Sequence, residues 1–419
     1  MWRFPNLQLG VLLKKLDASF VFLLADFVTG FATRLMFTTY VIYRVQVVGL
    51  NPLQLVLLGT VLESTIFVFE IPTGVVADIY SRRISTILGM FLIGIGHAIE
   101  GIAPIFWVLL ISNFIWGLGT TFISGAFMAW ITDEIGLKKV GKVFLRGDQL
   151  SLLGNLMAIP LAVIISARSL AWPFLIGGAL LVTLGIFLAL FMPEQGFKPV
   201  PKDERQGWRT MFNTFKASID LARVRPMLIT FAAIGLFVGL YSEAWDRLAQ
   251  PYLLENFAFP SLNGFEFTTI QWFGILNVAF ILVGIASNEI AKRTVNTTRS
   301  VTLLRSLQAI YAGMVAAMLF FAFTGQFYLA VGAMMLFNGL RSVSFPLTNT
   351  WINQQIDSKV RATVLSMTGQ IDALGELSGG PILGTIGRLR SLRAALVTSA
   401  LILSPTVPLY QRIAKTSKK

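Results

Sequence analysis

The chain has 419 residues, of which 55% are hydrophobic and 13% are charged, and its formal net charge is +13. Soluble domains carry about twice this charged fraction, so the composition excludes an ordinary soluble protein and predicts an all-α polytopic membrane protein. The chain has no cysteine and a single histidine, His97, which argues against metal sites and Ser-His chemistry. We therefore expect no metal, no cofactor and no enzymatic activity.

Twelve apolar segments are predicted to cross the membrane as helices, because each approaches or exceeds the roughly 20 residues that a bilayer requires. They cover 18–43, 52–77, 84–104, 107–132, 146–167, 170–192, 226–249, 267–288, 300–323, 326–352, 362–387 and 394–411. Basic residues concentrate in alternate loops, which favours positive-inside topology over nucleic-acid binding. This pattern predicts a protein of the cell membrane, in contact with the lipid bilayer, with both termini in the cytoplasm.

One cluster departs from the charge rule. Arg388, Arg390 and Arg393 lie in a loop that is predicted on the outer side. The cluster is read either as a tolerated exception late in the chain or as a site for lipid headgroups or an anionic solute.

A polar segment divides the chain. Residues 193–225 begin with several prolines, and apolar residues then recur at helical spacing from Trp208 to Ile219. This spacing predicts an amphipathic helix in the inner membrane interface. The predicted domains are therefore a six-helix half over 1–195, a cytoplasmic linker over 196–225 and a second half over 226–419.

An internal repeat supports two equivalent halves. A shift of 221 residues without a gap pairs identical residues from the fourth and fifth spans with the tenth and eleventh. The matches include Trp130 with Trp351, Lys138 with Lys359, Gln149 with Gln370, Gly154 with Gly375 and Pro160 with Pro381. Duplicated halves related by an axis along the membrane normal are a transporter architecture.

The loop after the second span carries a spaced motif, which later recurs. The first copy is Gly74-x3-Asp78-x3-Arg82-Arg83, preceded by Glu70, and the second is Gly284-x3-Asn288-x3-Lys292-Arg293. Gly74 is predicted to let another backbone approach closely. Asp78 is predicted to pair with Arg82 or Arg83, or to cap a facing helix.

These two loops resemble the loops between helices two and three and between helices eight and nine of the major facilitator superfamily (MFS). Ile79 and Tyr80-Ser81 depart from the usual pattern of the first loop. The resemblance covers essentially the whole chain and implies the MFS fold, with twelve transmembrane helices in two pseudo-symmetric six-helix halves. It also implies alternating access, with the first motif as a state-dependent cytoplasmic latch.

Charges inside the first two spans are candidates for coupling, since charged groups at mid-membrane normally face a cavity or a partner. Asp26 and Arg34 lie two turns apart, roughly 12 Å along the axis, and therefore cannot pair tightly. Either they act in coupling and substrate contact, or each has a fixed partner on a neighbouring helix. Glu63, in the middle of the second span, is a candidate proton carrier.

The second half carries further charges. Arg341, one turn from Asn338 in the tenth span, either binds an anionic group or neutralises Glu63 or Asp26. Asp246 and Arg247, beside Glu243 at the outer end of the seventh span, form either an outer gate or an interfacial ion pair. The eleventh span carries Asp372, Glu376 and then Gly380-Pro381-x-x-Gly384.

The last of these sequences matches a signature of MFS drug–proton antiporters, in which it belongs to helix five. In this chain it lies on the eleventh span instead, so it adds little support for export. The abundance of Phe and Met, which suit an adaptable apolar pocket, favours efflux, and the chain resembles a bacterial-type permease of the drug-efflux-like branch. We expect proton-coupled efflux of a small organic compound by a monomer, with a proton or another ion as the coupling ion. The alternatives are an uptake permease for a metabolite or organic anion, and a non-transporting membrane sensor.

Overall fold

A computed structural model describes residues 15–199, 226–261, 264–355 and 358–416, and its elements are helices. A short helix, Tyr40–Ile42, and a π-helical turn, Tyr43–Val47, connect the first two long helices. The longer helices are α1 (Ala18–Phe37), α2 (Pro52–Ile79), α3 (Arg82–Ile102), α4 (Phe106–Ile123), α5 (Ala126–Ile135), α6 (Leu137–Ser166), α7 (Trp172–Phe191), α8 (Pro226–Asn256), α9 (Thr269–Thr294), α10 (Ser300–Phe323), α11 (Phe327–Gln355), α12 (Ser358–Leu389), α13 (Leu392–Leu403) and α14 (Thr406–Thr416).

The all-helical, multi-span architecture predicted from the sequence is confirmed. In the part of the chain that the structure describes, nine helical segments are long and apolar enough to cross a membrane. Helices α8, α11 and α12 are of membrane length but fall outside this set. Charged residues within these three helices lower their apolar character, namely Glu243, Asp246, Arg247, Arg341, Asp372 and Glu376.

Several predicted boundaries were wrong. The first span ends at Phe37 instead of residue 43, and the fourth span breaks into α4 and α5 at Gly125, whose φ of 73° requires the left-handed region that glycine tolerates. The last span likewise consists of α13 and α14. Lys138 and Lys292, predicted in loops, lie within α6 and α9, because these helices continue beyond their apolar stretches.

The chain divides into two compact units. One consists of Met1–Thr38 and Thr65–Gly207, and the other of Thr39–Ser64 and Trp208–Lys419. Helix α2 therefore contributes residues to both units. Most of the predicted linker, residues 200–225, lies outside the described residues.

In the first unit, glycines bring α1 against α6. A Cβ atom added at Gly154 would lie 2.6 Å from the carbonyl oxygen of Phe27, and one at Gly30 would lie 2.6 Å from the carbonyl oxygen of Ser151. Such distances are well inside van der Waals contact, so only glycine permits this helix spacing.

The second unit repeats this arrangement between α8 and α12. A Cβ atom added at Gly375 would lie 2.7 Å from the carbonyl oxygen of Leu236, and one at Gly239 would lie 2.0 Å from the carbonyl oxygen of Asp372. Residues of α8 follow their equivalents in α1 by 209 positions, and residues of α12 follow those of α6 by 221. The repeat seen in the sequence is therefore also a repeat in helix packing.

Two tryptophans repeat in the same way. Trp130 stacks on Phe127 with ring centroids 5.8 Å apart, and Trp351 stacks on Phe231 with centroids 4.6 Å apart. Both tryptophans are almost fully buried. Their indole N–H groups donate to the Pro193 carbonyl oxygen and to the hydroxyl of Ser300, which satisfies the buried donors.

Candidate functional site

The second unit contains a cavity of about 580 Å³ between α8, α10, α11, α12 and α14. Its charged lining residues are Arg341, Asp372 and Glu376. Aromatic side chains contribute much of the remaining wall, namely Phe231, Tyr241, Tyr311, Phe345 and Tyr410. Concave sites with mainly apolar walls and a few charged groups are typical of small-molecule binding.

Arg341 in the cavity wall and Arg247 on α8 each form an ion pair with a carboxylate. The guanidinium group of Arg341 binds the carboxylate of Asp246 through both terminal nitrogens, with Nη2 2.9 Å from Oδ2. On α8, Nε of Arg247 lies 2.9 Å from Oε1 of Glu243, which is 4% exposed. The forked contact between Arg341 and Asp246 fixes the orientation of both side chains.

Three carboxylates near these pairs form no ion pair among the described residues: Glu63, Asp372 and Glu376. The Ser242 hydroxyl donates to Oε1 of Glu376 at 3.1 Å. Oδ1 of Asp372 is buried without a hydrogen-bond partner in the described structure. Glu63 lies close enough to Glu376 for their charges to interact.

The cluster is therefore acidic. Five carboxylates (Glu63, Glu243, Asp246, Asp372 and Glu376) outnumber three guanidinium groups, which are those of Arg247, Arg341 and, over the ring of Tyr40, the buried Arg44. If all were ionised, two negative charges would stay uncompensated in a low-dielectric region. Such charges are costly unless protons or a cation neutralise them.

The structure gives Arg341 a partner that the sequence did not offer. The sequence offered an anionic group, or neutralisation of Glu63 or Asp26, whereas the observed partner is Asp246. Asp246 and Arg247 also bond to different residues, because consecutive helical residues point in different directions. Asn338 lies outside the cavity lining, and its amide donates to the Met334 carbonyl oxygen at 2.8 Å.

In the first unit, both charged residues of α1 lie against α6. Nε of Arg34 donates to Oδ1 of Asn155 at 3.0 Å. A Cβ atom added at Gly147 would lie 2.1 Å from Oδ2 of Asp26, so this carboxylate contacts the α6 backbone directly. The two charges are thus held separately, as their spacing predicted.

The repeat relates these residues to the cavity. Ser151 and Asn155 of α6 are equivalent to Asp372 and Glu376 of α12, since each pair differs by 221 positions. Arg34 is equivalent to Glu243. The first unit therefore holds a cation where the second holds carboxylates, a difference that a search for identical residues misses.

The loop motif forms a bonded cluster at the end of α2. Arg82 pairs with Asp133 and lies 3.6 Å from Asp78. Glu194 accepts hydrogen bonds from the Ser81 hydroxyl at 2.6 Å and from the Arg83 backbone N–H at 2.9 Å. Asp133 and Glu194 were not predicted from the sequence, because they are distant in the chain and lie outside the motif.

Gly74 does not make the close approach that was predicted. A Cβ atom at this position would meet nothing within 4 Å, and the same holds for Gly284. Glu70 is exposed. In the second copy, Asn288 donates to Ser342 at 3.2 Å and Arg293 pairs with Glu289 at 2.7 Å. Lys292 also lies 3.8 Å from Glu289.

The Gly-Pro-x-x-Gly sequence of α12 faces residues of α2 within the second unit. A Cβ atom at Gly384 would lie 3.1 Å from Cβ of Val56, and one at Gly380 would lie 3.0 Å from Cγ of Glu243. Pro381 lies inside α12. Gly59 of α2 rests on the buried ion pair, since its added Cβ would lie 1.5 Å from Oε1 of Glu243.

The cluster of Arg388, Arg390 and Arg393 has one specific side-chain contact among the described residues. Nε of Arg393 lies 3.2 Å from the hydroxyl of Tyr252, whereas Arg388 and Arg390 are exposed. The contact fixes the start of α13 to α8. His97 is 1% exposed and packs on the rings of Phe37 and Trp116, as expected of a packing residue.

Comparisons with known proteins agree with this architecture. The Major Facilitator Superfamily profile matches residues 22–380. The uncharacterized MFS-type transporter YxaM of Bacillus subtilis (strain 168) is 22% identical over 365 residues, covering 87% of this chain and 88% of YxaM.

Solved structures show the same fold. The nucleoside transporter NupG superposes with a TM-score of 0.75 at 13% identity, covering 96% of this chain and 100% of the NupG chain. A bacterial homologue of the human lysosomal transporter Spinster gives 0.71 at 16% identity, covering 96% and 98%. The chain therefore belongs to the Major Facilitator Superfamily, and it is a multi-pass secondary transporter of small molecules, not an enzyme.

Proposed function

We propose that this transporter exports a small organic compound in exchange for protons. The observation that carries the proposal is the excess of carboxylates in the second unit. Glu63, Asp372 and Glu376 have no ion-pair partner among the described residues, although they lie within helices of membrane length. Protonation neutralises these carboxylates without the need for a bound cation, and loss of the proton restores their negative charge.

Glu376 is the strongest candidate for the proton carrier. It lines the cavity, so its proton has a route to solvent and to substrate. The Ser242 hydroxyl holds its carboxylate in one orientation. Binding or release of a proton there changes the charge of α12 beside α8, and this charge change biases one conformation over another. Glu63 and Asp26 stay as further candidates.

An organic compound without a negative charge suits the cavity better than an organic anion does. Aromatic rings form much of its wall, and the charge of Arg341 is already satisfied by Asp246. An anion would need to displace Asp246 and would meet Asp372 and Glu376. These groups disfavour the alternative of organic-anion uptake through electrostatic repulsion.

We assign the cytoplasmic loop motif the role of a latch. Glu70, Gly74, Asp78, Arg82 and Arg83 would hold the cytoplasmic side shut in one state, through contacts that break in the other. The ion pairs of Arg82 supply the charged part of this device. The proposal includes a monomer with both termini in the cytoplasm.

Proton movement in proteoliposomes tests the exchange. A pH-sensitive dye inside the vesicles reports flux as lipophilic cations, organic anions and sugars are supplied in turn. We expect substrate-dependent proton flux in the wild type and its loss in at least one of Glu376→Gln, Glu63→Gln and Asp26→Asn. Glu289→Gln, which removes an exposed acid on α9, is the matched control and should keep the flux.

Two results would overturn the proposal. Substrate movement without proton flux in the wild type would show a uniporter or another coupling ion. Full proton flux in all three variants would show that none of these carboxylates carries the proton. No response to any compound in the panel would favour the non-transporting sensor.

A further inference from the structure

We infer that Asp372 and Glu376 form a recognition site for the positive group of an organic cation, which makes monocationic compounds the substrate class. The inference rests on the proposed export function and adds the chemistry of the substrate. Both carboxylates line the cavity, and neither forms a direct ion pair with an arginine among the described residues.

The charges around these two residues favour a cation. The facing groups are Glu63 on α2, Tyr241, Glu243, Asp246 and Arg247 on α8, Tyr311 on α10, Arg341 on α11 and Tyr410 on α14. The two arginines are bound to Asp246 and Glu243. A ligand cation is therefore the partner that would balance the remaining negative charge.

The carboxylate of Asp372 is incompletely hydrogen-bonded within the described part of the protein. Its Oδ1 is buried and lacks a hydrogen-bond partner in the described part of the chain, while the residue lines the cavity. A buried acceptor without a donor is costly, and more so when the group is charged. A cation in the cavity would offset the negative charge of this carboxylate, whereas Oδ1 itself is covered by protein atoms.

The aromatic wall favours an organic cation over an inorganic one. Tyr241, Tyr311 and Phe345 line the same cavity as the two carboxylates. Aromatic faces attract organic cations, most strongly where water is excluded. The volume of about 580 Å³ falls within the usual range of small-molecule pockets.

The repeat argues against a purely structural role for the two acids. The equivalent positions on α6 hold Ser151 and Asn155, and the glycine-mediated contact with the preceding helix forms there as well. Helix packing of this kind therefore does not require carboxylates. The acids distinguish the second unit from the first at positions that face a cavity.

A pair of ions of matched size tests the inference on the purified full chain. Tetraphenylphosphonium and tetraphenylborate have nearly the same shape and opposite charge. We expect calorimetry in detergent to show at least tenfold tighter binding of the phosphonium ion. Asp372→Asn and Glu376→Gln should each weaken that binding about tenfold or more, whereas Glu289→Gln should leave it unchanged.

Variants copied from the first unit guard against misfolding. Asp372→Ser and Glu376→Asn introduce the residues that α6 carries at the equivalent positions, in a packing that the chain already uses. They should elute as the wild type does and still lose phosphonium binding. Phosphonium binding should also weaken as the pH falls, because protons and the cation compete for the same carboxylates.

Equal binding of the two ions would overturn the inference, as would phosphonium binding that survives Asp372→Ser and Glu376→Asn. Sodium that displaces the phosphonium ion equally well from the wild type and from both variants would likewise overturn the carboxylate site. Charge-selective binding without proton flux would keep the site and refute proton-coupled export. Proton flux driven only by neutral compounds or anions would keep the export function and refute the cation site.

Discussion

Gly239 gives the sharpest test of the helix contact that positions the cavity. An added Cβ atom would lie 2.0 Å from the carbonyl oxygen of Asp372 and 3.0 Å from Cα of Gly375. Both neighbours are backbone atoms of α12, so no side-chain rotation relieves the clash. Ordinary contact begins near 3.4 Å, and Gly239→Ala must therefore separate the two helices by about 1.4 Å.

The cost follows from this geometry. Overpacking a well-packed interior costs about 1–3 kcal/mol, and a clash with rigid backbone belongs at the upper end. Alanine regains roughly 1 kcal/mol through its higher helix propensity. We expect a net destabilisation of about 2 kcal/mol, which corresponds to a fall in melting temperature of roughly 4–8 °C for a unit of about 200 residues.

The assay is thermal unfolding of detergent-solubilised protein, read as the fraction that stays monodisperse after heating. Gly332→Ala on α11 is the matched control, because a Cβ atom there meets nothing within 4 Å. This control should be neutral or slightly stabilised. Because Gly239→Ala also displaces Asp372, it should weaken phosphonium binding, while the control should not.

Equal melting temperatures of the two variants would refute the reasoning. Such a result would mean that α8 and α12 are not in the close contact described, or that their spacing adjusts without cost. A stable Gly239→Ala variant with unchanged phosphonium binding would further show that the position of Asp372 does not depend on this contact.

Three further substitutions address the ion pairs and the latch. Arg341→Lys keeps the charge but loses the forked contact with Asp246, and we expect transport about tenfold slower with normal expression; an unchanged rate would show that charge alone suffices. Gly59→Ala places a methyl group on the Glu243 carboxylate, so initial-rate measurements should show at least tenfold slower transport, and wild-type rates would contradict that packing. Asp78→Asn should reduce transport in vesicles at equal expression, and wild-type transport would reject the latch.

Much of the architecture could be predicted from the sequence because the bilayer imposes a local rule. Every backbone polar group in hydrocarbon must be bonded within its own segment, so apolar runs of about 20 residues become helices. The repeat was also readable, since Trp130 and Trp351 keep identical types at a fixed spacing. The separation of Asp26 from Arg34 followed from helical rise alone.

The candidate site could be predicted only in part. Asp372 and Glu376 were predicted as charged residues within a span. Ser242 and the tyrosines of the cavity could not be identified in this way, because they are uncharged and such residues are common in membrane helices. The motif likewise indicated Arg82 but not its ion-pair partner Asp133, which lies 51 residues away.

What the sequence determined by itself is the helical, multi-span character of the chain, its repeat and the charged residues within the spans. What only the tertiary structure decided is the partner of each charge. Arg341 pairs with Asp246, 95 residues earlier, and Arg247 pairs with Glu243 instead of its neighbour. The physical reason is that the length of an apolar segment can be read from that segment alone. The ion-pair partner of a charged residue depends instead on the rotation and spacing of two helices, and contacts such as that of Gly239 set both.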